Sequence, residues 1–295
     1  MISTLAAGAR VRLIAPAVPM TASLEELVTT GSRHLREWGL EVRFGTHIRD
    51  RHPTLPYLGG TDADRAADLV QAWCDPEVDA IICLRGGYGC LRIIDLLDWD
   101  KMAAAEPKLF AGSSDVTALH QEFQARLGVP TLFSPMIATQ AFAHDETTRA
   151  GLRHQLFEGP RPVTGGTPLV PGRARGTTAG GNLSLLAANL GQRPPDGSIL
   201  LLEDINEHPY RVDRLLTQLL RADWFTRVAG IALGTWTGCG DVDPVLAERL
   251  SGLGVPVAAG LPFGHCAAQA TIPLGVPAEL DADAGTLTIS NWPPR

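Results

Sequence analysis

The sequence predicts an α/β protein in which a doubly wound parallel sheet is followed by a second domain. Short apolar segments alternate with helical patterns over the first half of the chain, which is typical of right-handed βαβ crossovers. The segment 78–84 is mainly apolar, as expected of a parallel strand covered on both faces. Residues 158–175 are rich in Pro and Gly and have no periodic pattern. We therefore predict an N-terminal domain at 1–157, a linker at 158–175 and a C-terminal domain at 176–295.

The first half is predicted to contain four strands separated by helices. The predicted strands are 11–15, 40–44, 78–84 and 108–111. One predicted helix covers 23–38 and is stopped by Gly39, and another is opened by Thr61 and Asp62. A third helical pattern follows Ser114, because apolar residues recur there at spacings of three and four: Val116, Leu119, Phe123 and Leu127.

The second half continues with strands and helices and ends in a hairpin. Residues 180–184 lead into an apolar helix that extends to Leu190, and the strand 199–202 ends at Glu203 and Asp204. An amphipathic helix follows Pro209, with one apolar stripe formed by Val212, Leu215, Leu216, Leu219 and Leu220. Further strands are predicted at 228–233 and 255–258, and a terminal β-hairpin at 271–290.

Composition excludes several classes of function. Of the 295 residues, 45% are hydrophobic and 19% charged, as in an ordinary globular protein. The net charge is −7 and the Lys and Arg residues are scattered, so nucleic acid is not an expected partner. Five cysteines without a C-x-x-C pair argue against a disulfide framework or a zinc cluster and favour a reducing compartment. With no apparent signal peptide and no apolar run of about 18 residues, we expect a cytoplasmic protein without a membrane partner.

Two of the predicted strands end in turns that are polar or rich in glycine, Arg85–Gly89 and Gly112–Asp115. In doubly wound folds, ligands bind outside the carboxyl ends of the strands. A serine on a sharp turn from strand to helix exposes its hydroxyl, and the N–H groups that follow point to the same place. Ser114 is therefore a candidate nucleophile. A plain helix cap formed by Ser114 or Asp115 is the simpler interpretation of these residues alone.

The glycines of the turn Arg85–Gly89 permit a close backbone approach to a developing oxyanion. A phosphate-binding loop is a weaker interpretation, because the G-x-G-x-x-G spacing is absent and no Walker lysine follows. A plain turn that needs left-handed backbone angles is the remaining alternative.

A serine nucleophile needs a base, and the base needs an orienting carboxylate. Glu203 lies at a predicted strand end and His265 in a loop flanked by glycine. The order Ser–Glu–His also occurs in α/β-hydrolases, so it is permissible without being diagnostic. Taken singly, Glu203 is equally explained as a carboxylate capping a turn, and His265 as a loop histidine with a backbone partner.

Five stretches together resemble the LD-carboxypeptidase family, and Ile14–Pro16 fits as well. They are spread over residues 84–275: Leu84–Gly89, Ala111–Leu119, Gly180–Leu183, Leu201–Arg214, and Gly264–His265 followed by Pro273–Gly275. The resemblance implies a Ser-Glu-His peptidase that cleaves an L,D-peptide bond and removes D-Ala from murein tetrapeptide. It also implies a Rossmann-like N-terminal domain, a smaller β-rich α/β C-terminal domain, an active site in the cleft between them, and a homodimer.

By matching position, the resemblance assigns the nucleophile to Ser114, the carboxylate to Glu203 and the base to His265. The backbone N–H of Asp115 and one from Gly86 or Gly87 are expected to form the oxyanion hole. Arg85, Tyr88 and Asn182, which lie in the same motifs, are predicted to contact substrate. No cofactor or metal is expected.

The sequence departs from the family pattern before the nucleophile. An aromatic residue is common at this position, whereas this chain has Ser113. The change affects the packing of the local pocket and supplies a second hydroxyl. We assign Ser114 as the nucleophile because it directly precedes Asp115.

Three other functions stay open at this point. A self-immunity peptidase would cleave a peptidyl-nucleotide antibiotic and would need an aromatic or basic platform for the base. A nucleotide-binding or dehydrogenase module is suggested by the parallel sheet alone. A catalytically inactive protein that binds cell-wall fragments would keep the cleft without the chemistry.

Overall fold

The structure is a computed structural model that describes residues 4–290. Residues 1–3 of the predicted first domain and 291–295 of the predicted second lie outside the described part. Fourteen strands are described: β1 Arg10–Ile14, β2 Glu41–Phe44, β3 Ala80–Cys83, β4 Leu109–Gly112, β5 Thr131–Phe133, β6 Val163–Thr164, β7 Thr167–Val170, β8 Arg173–Asn182, β9 Ser198–Ile205, β10 Gly230–Thr237, β11 Val257–Ala259, β12 Ile272–Leu274, β13 Pro277–Asp281 and β14 Thr286–Ile289.

Ten α-helices are described over the same residues. They are α1 Glu25–Glu37, α2 Asp62–Cys74, α3 Cys90–Ile93, α4 Trp99–Ala104, α5 Thr117–Glu122, α6 Gln140–His144, α7 Glu146–Phe157, α8 Leu183–Ala188, α9 Pro209–Arg221 and α10 Asp243–Leu250. None of the described helices is long and apolar enough to cross a membrane.

The first sheet has the order β12-β5-β4-β3-β1-β2. Strands β1 to β5 run parallel, and only the edge strand β12 is antiparallel. The order of the parallel strands reverses between β1 and β3, and such a switch point is where ligands bind in open α/β sheets. The predicted α/β class with its parallel sheet is confirmed. The turns that follow β3 and β4 lie at the carboxyl ends of these strands, next to the switch point.

The second sheet has eight strands in the order β6-β14-β13-β8-β9-β10-β11-β7. Its central strands β8, β9, β10 and β11 are parallel, and α8, α9 and α10 connect them in sequence. Helix α9 buries Val212, Leu216 and Leu219, which belong to the predicted apolar stripe. These βαβ units bring the carboxyl ends of β8 and β9 to one edge of the sheet.

The predicted linker 158–175 contains β6, β7 and the first residues of β8. Strands β6 and β7 form the two outer edges of the second sheet, each paired on one side only. Pro and Gly are tolerated at edge strands, so a composition that suggests a loop is compatible with strands here. The domain division at 157 and 176 stays a prediction.

The predicted terminal hairpin is correct for β13 and β14, which pair antiparallel. The preceding strand β12 instead pairs with β5, with Ile272 opposite Phe133. Phe133 and Ile272 are fully buried in a cluster with residues of the second sheet. The hairpin is therefore shorter than 271–290, because its first residues complete the first sheet.

The helical segment after Ser114 is less regular than predicted. It begins as a 3-10 turn at Ser114–Val116, continues as α5 and ends in a π-helical turn at Phe123–Leu127. Val116, Leu119 and Phe123 are fully buried, as the apolar spacing predicts. Leu127 is only partly buried.

Candidate active site

Ser114 occupies a strained turn at the carboxyl end of β4. Its φ is +58°, in the left-handed region that serine seldom adopts. The preceding Ser113 is extended and only 5% exposed. A strained serine between a strand and a helix is the geometry of a nucleophile elbow, in which the hydroxyl stands clear of the sheet.

Gly86 lies directly against Ser114. A β-carbon added at Gly86 would lie 2.8 Å from Ser114 Cβ, 2.9 Å from its Oγ and 3.3 Å from the Asp115 amide nitrogen. Only glycine therefore leaves space beside the Ser114 hydroxyl, where the oxyanion of a tetrahedral intermediate is predicted to form. Backbone N–H groups at such a place stabilise developing negative charge.

The Asp115 side chain ties the two turns together. Its Oδ2 accepts a hydrogen bond of 2.7 Å from the Cys90 N–H, and the residue is 1% exposed. Burial raises the pKa of Asp115, and the hydrogen bonds from Cys90 and Gly89 together with the charge of Arg65 counteract part of that effect. The Arg65 guanidinium donates to the carbonyls of Pro16 and Gly89 at 2.7 and 2.9 Å. The glycine-rich turn is thus held at its carboxyl end, through Gly89 and Cys90.

Glu203 and His265 are hydrogen bonded to each other. His265 Nδ1 lies 2.7 Å from Glu203 Oε2, and the Glu203 side chain is fully buried. A β-carbon on Gly264, whose φ is +98°, would lie 2.5 Å from the same Oε2. The glycine before the histidine therefore lets the loop close over the carboxylate.

The loop that carries His265 is held by β10 and by α7. Thr237 Oγ1 donates to the His265 carbonyl at 2.6 Å. On the other side, Asp145 accepts the Ala268 N–H at 2.8 Å and Thr148 accepts the Gln269 N–H at 3.0 Å. Sequence reasoning did not find these anchors. Asp145 has the sequence signal of a helix cap, but nothing in the sequence connects that cap to Ala268 in a loop 123 residues later.

The pKa of His265 is raised above its ordinary value of 6.5. Burial by itself opposes the imidazolium, but the hydrogen bond and charge of Glu203, with the charge of Asp204, outweigh it. Arg85 acts against the imidazolium. The dyad therefore favours the protonated ring that forms when a histidine accepts a proton from a nucleophile.

Asn182 is held beside Glu203 by the register of the second sheet, in which the two residues are paired neighbours on β8 and β9. Its Nδ2 donates to Glu203 Oε1 at 3.2 Å and to Asp204 Oδ1 at 2.9 Å. Its backbone N–H donates to Thr117 Oγ1 at 3.0 Å, three residues after Ser114. Asn182 is only 3% exposed, so little of its surface is accessible for the predicted contact with substrate.

A cleft of about 890 Å³ joins residues from both halves of the chain. Arg85, Ser113 and His265 line it. Arg85 Nη1 donates to the Ala138 carbonyl at 2.9 Å, which orients the guanidinium. Ser114 is half-buried and is not among the lining residues, and within the described chain it makes no hydrogen bond to His265. Catalytic hydrogen bonds are often long in a free enzyme, so the Ser114–His265 contact stays a prediction.

Tyr88 lies on the same glycine-rich turn and is 47% exposed. Its ring meets that of Tyr57 edge to face, with the centroids 5.9 Å apart. Tyr57 is 50% exposed. The Tyr88 side chain is therefore accessible for the predicted contact with substrate.

Within residues 4–290, one group of side chains has metal-ligand spacing: His47, Asp50 and Asp64. His47 Nδ1 already lies 2.7 Å from Asp50 Oδ2. Asp64 Oδ2 accepts the N–H and the hydroxyl of Thr61 at 2.9 and 2.7 Å, as part of the cap of α2. These contacts account for the cluster, which shares no residue with the predicted triad.

Family models match most of the chain in two parts. The N-terminal domain of LD-carboxypeptidases matches residues 11–134, and the C-terminal domain matches residues 175–280. A protein of Streptomyces coelicolor named as a putative carboxypeptidase is 54% identical, over 97% of this chain and 94% of its own. The murein tetrapeptide carboxypeptidase of Pseudomonas aeruginosa is 32% identical, over 93% of this chain and 94% of its own.

Solved structures share the whole fold. The muramoyltetrapeptide carboxypeptidase of Oxalobacter formigenes superposes with a TM-score of 0.83 at 29% identity, covering 96% of this chain and 99% of that one. MccF in complex with glutamyl sulfamoyl guanosine superposes with a TM-score of 0.88, covering 100% and 99% of the two chains. Its identity of 23% supports the fold alone. The two family models and the relatives that extend over nearly the full length lead to one conclusion: the chain belongs to the LD-carboxypeptidase family, and is a peptidase.

Proposed function

We propose that this protein is a cytoplasmic serine-type L,D-carboxypeptidase that removes the terminal D-Ala of murein tetrapeptide in peptidoglycan recycling. The observation that carries the proposal is the hydrogen bond of 2.7 Å between His265 Nδ1 and the buried carboxylate of Glu203. This bond directs Nε2 of the ring away from the carboxylate as the proton acceptor. The homodimer expected from the family resemblance belongs to the same proposal.

The proposed mechanism is acyl transfer. His265 Nε2 takes the proton of Ser114 as Oγ attacks the scissile carbonyl, and Glu203 stabilises the resulting imidazolium. The N–H groups of Asp115 and of Gly86 or Gly87 hold the oxyanion, each such donor contributing about 3 kcal/mol in comparable sites. The imidazolium then protonates the departing amine of D-Ala. A water molecule, deprotonated by His265, attacks the acyl-enzyme and releases the shortened peptide.

Arg85 supports the carboxypeptidase assignment. A terminal D-Ala has its carboxylate close to the scissile bond, so a cation that recognises it must lie beside the oxyanion donors. Arg85 immediately precedes Gly86 and lines the cleft with His265. One guanidinium N–H is used by the Ala138 carbonyl, which leaves the other donors for a substrate carboxylate.

The test is mass spectrometry of the purified protein with L-Ala-γ-D-Glu-meso-diaminopimelyl-D-Ala. We expect loss of the terminal D-Ala and no cleavage of the same peptide ending in D-alaninamide, which lacks the terminal carboxylate. Hydrolysis of an aminoacyl sulfamoyl nucleotide with no action on the tetrapeptide would indicate the self-immunity activity instead. Absence of hydrolysis of both compounds would contradict the peptidase proposal.

A further inference from the structure

Asp204 is a buried carboxylate beside the proposed triad, and the mechanism above does not use it directly. It is 2% exposed, and no Lys or Arg forms an ion pair with it in residues 4–290. A carboxylate taken out of water is costly unless hydrogen-bond donors replace the solvent. The hydrogen-bond partners of Asp204 therefore indicate which parts of the site it positions.

Four donors surround the two oxygens of Asp204. Oδ1 accepts from Asn182 Nδ2 at 2.9 Å and from the Ile205 N–H at 2.8 Å. Oδ2 accepts the N–H of Ser184 at 2.9 Å and its hydroxyl at 2.7 Å. Ser184 lies in the first turn of α8, so Asp204 joins the end of β9 to the start of that helix.

The Asn182 amide has two hydrogens, and the structure gives it two carboxylate acceptors. One bond goes to Asp204 Oδ1 and the other, of 3.2 Å, goes to Glu203 Oε1. The other carboxylate oxygen, Glu203 Oε2, accepts His265 Nδ1. Asp204, Asn182, Glu203 and His265 thus form one continuous chain of hydrogen bonds.

Asp204 also acts on His265 through its charge. The charges that act on the ring are Glu203 and Asp204 from β9, which favour the imidazolium, and Arg85 from the turn after β3, which opposes it. The neighbouring Cys266 thiol stays neutral near neutral pH, since burial raises its pKa. Removing the charge of Asp204 would leave Glu203 and Arg85 to compete.

We propose that Asp204 is a positioning residue of this active site. It orients the Glu203 carboxylate through Asn182, and its negative charge stabilises the imidazolium of His265. The inference rests on the proposed function, because it assumes that His265 is the base. Asp204 itself does not touch the reacting atoms.

The experiment compares the wild type with Asp204→Asn, which keeps the shape, removes the charge and replaces one acceptor oxygen by an NH2 donor. We expect kcat for the tetrapeptide to fall by up to about a hundredfold with KM nearly unchanged, because a misaligned base slows the chemical step. We also expect the acidic limb of the kcat/KM profile to move to lower pH. A loss of rate with an unmoved acidic limb would show a merely structural role and overturn the proposal.

A second readout is independent of turnover. The C2 proton of His265 can be titrated by NMR in the full-length protein, with its signal assigned from a His265→Gln variant. We expect a lower pKa of His265 in Asp204→Asn than in the wild type, and an equal pKa would overturn the proposal. If the wild type cleaves no peptide yet the His265 pKa falls, the proposed function fails while the coupling of Asp204 to His265 stands.

Ser184→Ala covers the case in which Asp204→Asn does not fold. It removes one of the four donors to Asp204 and keeps the charge, so kcat should fall severalfold while the His265 pKa stays unchanged. Ser198→Ala is its control, because Ser198 is a buried serine on the same strand as Asp204 and donates its hydrogen bond to the Pro195 carbonyl instead. If Ser184→Ala loses no more activity than Ser198→Ala, Asp204 does not need to be held in place and the proposal is wrong.

Discussion

At the residue scale, the two adjacent serines Ser113 and Ser114 have opposite backbone conformations. Ser113 is extended, whereas Ser114 has a φ of +58° and contacts Gly86. A strained backbone persists where the surrounding structure enforces it, and such positions cluster at active sites. The strain therefore favours Ser114 over Ser113 as the nucleophile, although it is Ser113 that lines the cleft.

The first prediction separates the two serines. Ser114→Ala should abolish turnover of the tetrapeptide and leave the fold intact, whereas Ser113→Ala should remain active. Turnover is measured by mass spectrometry, folding by circular dichroism, and acylation of the wild type by a fluorophosphonate probe. If Ser113→Ala were inactive and Ser114→Ala active, the assignment would be wrong and Ser113 would be the nucleophile.

The second prediction concerns pH. In the proposed mechanism the neutral His265 ring is the base, and its pKa is raised above 6.5 because Glu203 and Asp204 together outweigh the effect of burial. Activity should therefore be lost below that raised pKa, where the ring is already protonated, and should rise as the pH passes through it. A pH profile of kcat/KM measures this limb. A midpoint of this limb at or below pH 6.5 would show that Glu203 and Asp204 do not raise the pKa of His265.

The sequence was sufficient to propose Ser114, Glu203 and His265, because each lies in a short motif that resembles the LD-carboxypeptidase family. Taken singly, each residue had a simpler explanation as a cap or a loop residue. The structure places Glu203 and His265 in contact, while the Ser114–His265 contact stays a prediction. The roles of Asn182 and Asp204 could not be derived in the same way. Asn182 meets Glu203 only through the register of β8 and β9, and a register is decided by the packing of the whole sheet.

At the scale of elements, glycine decides how closely a loop approaches its neighbours. Gly264 and Gly260 lie in the same loop, with φ of +98° and +76°. A β-carbon on Gly264 would meet Glu203, whereas one on Gly260 would have no atom within 4 Å. Both positions are strained for alanine, but only one of them touches the site.

The third prediction uses this pair. Gly260→Ala should cost about 1–2 kcal/mol of unfolding free energy, since it puts alanine in the left-handed region. Gly264→Ala should cost more, because its methyl also clashes with the buried Glu203 side chain. Only Gly264→Ala should also reduce kcat strongly, because its methyl displaces the carboxylate from His265. Thermal unfolding and tetrapeptide kinetics measure the two effects. Equal activity of both variants would indicate that the Glu203 placement does not limit catalysis.

Apolar periodicity was sufficient to predict β1 to β4, β9 to β11 and the helices α1, α2 and α9. It did not predict the central strand β8 or the helix α7, and it failed at the edges. Strands β6 and β7 lie in a segment of Pro and Gly, and β12 has only three residues, so none of them has a pattern of its own. Their positions depend on partners distant in sequence: β14, β11 and β5. Long-range pairing of this kind is invisible to a local window.

At the scale of the whole molecule, contacts outside the segment 158–175 join the two halves of the chain near the site. Strand β12 completes the first sheet beside β5, and the backbone N–H of Asn182 donates a hydrogen bond to Thr117. The loop that carries His265 donates hydrogen bonds to Asp145 and Thr148 at the start of α7. A fragment of residues 1–157 should therefore lack activity and also leave the edge of β5 uncovered.

The fourth prediction tests the contact between the His265 loop and α7. Asp145 caps α7 by accepting the Thr148 N–H at 2.9 Å, and its other oxygen accepts the Ala268 N–H at 2.8 Å. Asp145→Ala should lower the unfolding free energy by about 1 kcal/mol through the lost cap. It should also lower kcat, because a displacement of the base by about 1 Å costs up to about a hundredfold.

Asp98→Ala is the matched control, because Asp98 caps α4 through the Lys101 N–H at 3.0 Å and has no hydrogen bond to the loop. The control should lose similar stability and keep its kcat. Since Asp145 also lines the cleft, kcat at saturating substrate is the decisive quantity, and a change in KM alone would indicate a direct contact with substrate. If both variants lose stability equally and neither loses kcat, the loop is positioned by the second sheet alone. The first half of the molecule would then contribute the nucleophile and the oxyanion donors without helping to place the base.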